Sequence, residues 1–98
     1  MMLSWLDARA ATAFGNTLAA FFVQRVPLDA KLSEKKFAAK AQEVLNKMAL
    51  LVDRFKSENK LNTYKKAKLA NAFKWALKDA GYDPAYVDRL SEWLTTRL

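Results

Sequence analysis

The chain has 98 residues with 17 Lys or Arg against 10 Asp or Glu, a net charge of +7, and 52% of its residues are hydrophobic. That hydrophobic share is too high for a disordered segment, and the length suffices to bury an ordinary core without staples. Cysteine and histidine are both absent, which excludes disulfides, thiolate nucleophiles, imidazole acid–base chemistry and the usual zinc ligands.

Two glycines and two prolines are very few turn residues for this length, which argues against sheets. Alanine, leucine and lysine, all good helix formers, fill their place. The expectation is an all-α fold, a compact antiparallel bundle of four helices at about 4–25, 33–56, 62–80 and 84–96. Residues 1–98 would form a single helical domain with no internal repeat.

The first helix opens at Ser4, with Asp7 three residues later in the capping-box pattern. It should end near Arg25, because the residue before Pro27 is pushed away from helical geometry. Its main stripe is Leu3, Leu6, Ala10, Ala13, Phe14, Leu18 and Phe21. A second uncharged side carries Trp5, Thr12, Asn16, Ala19 and Val23. A helix apolar or small nearly all round is covered on both sides. Either it is the central helix, or the second side is a protein interface with a partner or with another copy of the chain. The uncharged run Ala10–Gln24 is too short and too polar for a membrane span, which takes about 20 apolar residues. Met1–Arg9 lacks the basic-then-apolar pattern of a signal peptide. The expectation is a soluble, cytoplasmic protein with no integral membrane segment.

Ser33 is a good N-cap for the second helix, with Glu34 suited to the positive end of the dipole. Phe37, Ala41, Val44, Met48, Leu51 and Phe55 alternate steps of four and three, a core stripe. Asn62 caps the third helix, which offers Leu69, Phe73, Ala76, Leu77 and Ala80 inward. Gly81 should close it in the left-handed conformation with Tyr82 folding back towards Leu77. Asp83 as N-cap and Pro84 at the first helical position then open the fourth. Tyr82 and Val87 stand at the positions of a hydrophobic staple, and the inward stripe is Tyr86, Val87, Leu90, Trp93 and Leu94.

The charge is concentrated. Residues 31–78 hold thirteen Lys or Arg against four acids, an excess of nine, whereas the first thirty residues balance and the last twenty carry an excess of two acids. One side of the molecule, built from helices 2 and 3, should therefore be positive. On helix 3, Tyr64, Lys68, Asn71, Trp75 and Lys78 follow steps of four and three. They form a stripe opposite Leu69, Phe73 and Leu77, flanked by Lys65 and Lys74. Rings interleaved with lysines and an amide suit nucleic acid: lysine meets phosphate, rings stack on bases, and the amide reads a base edge. The plain alternative is a solvated face, with Trp75 packed on a neighbouring helix. Lys36, Lys40, Lys47 and Arg54 on helix 2 fit that plain reading, since Glu43 among them can pair with Lys47.

A helix-turn-helix is suggested by Gly81, but helix 4 would then read the groove with Pro84, Ala85, Tyr86, Val87 and Asp88, which is unsuitable. Gly15 and Gly81 form no phosphate loop, the acids Asp88 and Glu92 alone would hold a metal poorly, and no serine has an evident base. No catalysis, no cofactor and no metal are expected. The partner is nucleic acid or an acidic protein, with a homodimer through helix 1 as the alternative. Attachment to an anionic membrane surface ranks last, because the apolar faces of helices 2 and 3 are committed to the core.

Overall fold

The computed structural model describes residues 7–28 and 32–98. They form four helices in the expected order: α1 (Arg9–Arg25), α2 (Glu34–Glu58), α3 (Thr63–Asp79) and α4 (Pro84–Arg97). Among the described residues there is no strand, and no helix is long and apolar enough to cross a membrane.

Local chemistry sets most of the boundaries. Ser33 Oγ accepts from the Lys36 amide at 3.2 Å, Asn62 Oδ1 from Lys65 at 2.8 Å, and Asp83 Oδ2 from Tyr86 at 3.1 Å. Each bond satisfies a backbone donor that the first helical turn leaves open. Gly81 adopts φ +97°. Its amide donates to the Lys78 carbonyl and that of Tyr82 to the Leu77 carbonyl, the paired closure of a Schellman motif. Two ends differ from expectation. Helix α2 continues to Glu58, where the Asn59 side chain donates to the Phe55 carbonyl at 3.0 Å. Helix α1 begins at Arg9, with Ala8 in the cap position and no cap from its side chain. The Asp7 carboxylate instead accepts the Arg9 amide at 3.2 Å and the Arg9 guanidinium at 3.0 and 2.7 Å. The expected cap Ser4, with Leu3, Trp5 and Leu6, lies outside the described residues.

The helices run alternately up and down. Helix α1 packs on both α2 and α3, and α3 in turn on α4. Phe14 stacks on Phe55 with ring centroids 4.2 Å apart, so the start of α1 meets the end of α2. Phe37 meets Tyr86 edge-on at 5.8 Å, and Lys56 Nζ donates to the Arg97 carbonyl at 2.7 Å, which joins α2 to α4. The closest approach is between α1 and α3, which run in the same direction. Position 15 faces the Leu69 carbonyl and Ala72, and Phe22 meets Tyr82 at 5.6 Å. A Cβ on Gly15 would stand 2.3 Å from the Leu69 oxygen, so glycine is required by proximity. Beyond the end of α1, the Tyr82 hydroxyl donates to the Val26 carbonyl.

The core is formed by Leu18, Phe22, Val44, Met48, Val52, Leu69, Phe73, Leu77, Val87 and Leu94, all buried, with smaller side chains between them. Each large one contributes about 1.5–3 kcal/mol by leaving water. The inward faces of α3 and α4 match the periodicity, except that Ala80 is exposed and Ala76, Tyr86 and Trp93 are half-buried. On α2, Val52 is buried, while Phe37, Leu51 and Phe55 pack at the edge of the core.

The inward face of α1 is a correction. Ala10 and Ala13 are exposed, and Phe14 and Phe21 are half-buried. The buried set is Ala11, Gly15, Leu18, Ala19 and Phe22. Small residues at 11, 15 and 19 let the α3 backbone come close, which large side chains on that face would prevent. Ala19, expected on a second face open to a partner, is 1% exposed, and Val23 is half-buried against the core. Ala19 therefore offers no surface for another chain.

Candidate nucleic-acid interface

Helix α3 presents its inward face to the core through Leu69, Phe73 and Leu77. Its opposite side is therefore fixed in the solvent by the helical repeat. Tyr64 is 41% exposed and Trp75 53%, and Lys68 and Asn71 between them are exposed as well. Trp75 thus keeps about half of its surface open to solvent. Large rings left this open on a folded helix lose the burial that usually rewards them.

Each ring has an ammonium over it. Lys68 Nζ stands 5.6 Å from the Tyr64 centroid, and Lys78 Nζ 5.3 Å from that of Trp75. Such contacts orient the lysines along the ring faces at modest energy, about 0.5–1 kcal/mol at exposed sites. The far end of the stripe has a counter-charge that the sequence reading did not anticipate. Asp88 on α4 lies 3.8 Å from Lys78 Nζ and 4.0 Å from Lys74 Nζ. Its i,i+4 spacing to Glu92 is visible in the sequence, but its position against α3 comes from the α3–α4 packing. Lys68 has no acidic partner among the described residues.

The flanking residues divide. Lys74 borders the stripe on the α4 side, next to Asp88, Ser91 and Glu92. Lys65 lies around the other side of α3, in a hollow with Asp7, Phe55, Asn59 and Lys60. It belongs with Lys56, Lys60 and Lys66 at the end of the bundle, not with Trp75. Lysines from the end of α2, the α2–α3 connection and the start of α3 thus gather at that end of the bundle. On α2, Glu43 is held by Lys40 at 3.0 Å rather than by Lys47. The hydrogen bond and charge of Lys40, with the charge of Lys47, keep its carboxyl below the usual range.

Two residues of the alternative protein interface lie beside the stripe. Thr12 and Asn16 of α1 line an open groove of about 450 Å³ together with Ala8, Arg9, Ala13, Tyr64 and Lys68. Nothing in the periodicity of either helix signalled this, because it depends on how α1 and α3 lie side by side. Trp5, from the same expected interface, is outside the described residues. Among the described residues no three His, Cys, Asp or Glu side chains stand where they could share a metal ion. Comparison with protein-family models, with curated proteins and with solved structures found no match to this chain.

Proposed function

We propose that this protein is a non-enzymatic nucleic-acid-binding module acting through the outward face of α3. The observation that carries the proposal is the pair of exposed rings, Tyr64 and Trp75, each beneath a lysine ammonium on one side of one helix. Lys68 and Lys78 meet phosphates, the rings stack on bases or sugars, and Asn71 between them supplies an amide to a base edge. Lys74 adds charge on one border, and Lys65 contributes only to the general positive field. The absence of cysteine suits a reducing compartment such as the cytoplasm.

The test is titration of the protein against short duplex DNA, single-stranded DNA and RNA at two salt concentrations. Affinity should weaken sharply with salt, because each phosphate neutralised on a duplex contributes a slope of about 0.9 in log–log terms. Trp75→Ala should weaken it further, by about 1–3 kcal/mol if the ring stacks on a base. No binding at low salt, or binding indifferent to Trp75→Ala and to Lys68→Glu, would overturn the proposal.

A further inference from the structure

The groove between α1 and α3 adds a second kind of contact to the exposed stripe. It is lined by Ala13 and Tyr64, by the polar side chains of Thr12 and Asn16, and by Lys68. An apolar wall, a ring and an amide form the set that receives the face and edge of a single heterocycle. Tyr64 and Lys68 also border a second hollow that continues along α3 to Asn71, and Trp75 follows one turn later. Tyr64 and Trp75 are eleven residues apart on α3, about 16 Å along the axis. At about 3.4 Å per stacked nucleotide that separation corresponds to about five nucleotides.

A duplex buries the faces of its bases and offers a protein only their edges and its phosphates. Ring faces and a base-sized groove are of use only for bases that are unpaired. We infer that the α1–α3 groove takes one unpaired base, with the strand then following α3 to Trp75, so that the ligand is single-stranded nucleic acid. This rests on the nucleic-acid reading above and narrows it. The net positive charge of the chain matches a phosphodiester strand, and Arg9 in the groove lining is paired with Asp7 at 2.7 Å, which leaves Lys68 as the phosphate contact.

The experiment compares a labelled strand of about 12 nucleotides, as DNA and as RNA, with the blunt DNA duplex of the same sequence by fluorescence anisotropy. One strand or the other should bind at least about tenfold tighter than the duplex, the stacking of one base being enough to give that ratio. Ala13→Leu fills the groove from an exposed helical position with an uncharged side chain, and Tyr64→Leu removes the ring. Both should lower affinity for the strand severalfold and by more than for the duplex, and keep the helical circular dichroism of the parent. Equal or tighter binding of the duplex overturns the groove assignment and leaves Trp75→Ala to judge the α3 stripe alone. Strand binding unchanged in both variants does the same. Failure to bind any of the three polymers overturns the groove and the nucleic-acid reading together.

Discussion

Gly15 within α1 and Asp7 just before it owe their roles to particular contacts. Replacing a mid-helix glycine by alanine normally favours the helix by about 1 kcal/mol. At position 15 the added carbon would press on the Leu69 carbonyl and on Ala72, which is 3.0 Å away. Backbone cannot turn aside as a flexible side chain does, so α1 and α3 must separate. Gly15→Ala should therefore destabilise the protein by about 1–3 kcal/mol, the usual cost of overpacking, as measured by urea unfolding. Asp7 is exposed, yet its hydrogen bonds to Arg9 bring its pKa from an ordinary 3.8 to about 2. Because the folded value is the lower one, the contribution of this pair is present above about pH 3.8 and is lost as pH falls through about 2. Proton titration followed by NMR should give Asp7 a midpoint near pH 2, and Arg9→Ala should return it to the ordinary carboxylate range.

The corner between α3 and α4 shows how helix ends are tied to the core. Gly81 takes the left-handed turn, Tyr82 is buried, and its hydroxyl reaches the Val26 carbonyl past the end of α1. Asp83 and Pro84 then start α4. Gly81→Ala should cost about 1–2 kcal/mol from the left-handed backbone alone, since a Cβ there would meet only Leu28 Cδ1 at 3.4 Å. Tyr82→Phe keeps the ring against Phe22 and removes the hydroxyl, so its cost should be about 0.5–1.5 kcal/mol. Thermal unfolding of the two variants checks both expectations, and a double variant should be close to non-additive only if the turn and the hydrogen bond form as one unit.

Across the molecule, the excess of seven positive charges is not equally available to a ligand. Lys40 is engaged by Glu43, Lys56 by the Arg97 carbonyl, and Lys74 and Lys78 share Asp88. Asp88 is the carboxylate that a phosphate would have to compete with at the Trp75 end of the stripe. Asp88→Asn should raise affinity for a nucleic-acid strand severalfold at low salt, and the gain should shrink as salt screens both the ion pairs and the ligand. The ion pairs themselves are long and only partly shielded from solvent, so the same variant should leave thermal stability nearly unchanged. Titration and thermal unfolding of the one variant separate the two effects.

Helix number, three N-caps, the Gly81 closure and the inward faces of α3 and α4 were all legible in the chain, because caps and helical periodicity act over three or four residues. The exposure of Tyr64, Lys68, Asn71 and Trp75 was legible for the same reason, since Leu69, Phe73 and Leu77 face in, whereas Lys78 at the end of the stripe is half-buried. The inward face of α1 was not. A helix made of alanine, glycine, threonine and scattered large residues has two faces of nearly equal hydrophobicity. The choice went to Ala11, Gly15 and Ala19 because they allow α3 to approach, an energy that exists only between helices. The pairing of Asp88 with Lys74 and Lys78, the separation of Lys65 from Trp75, and the meeting of Asn16 with Tyr64 likewise depend on which helices touch. Sequence alone determined the elements and their exposed and buried sides wherever one face was clearly more apolar than the other. Tertiary packing determined which sides adjoin, because contacts between residues on different helices have no local signature.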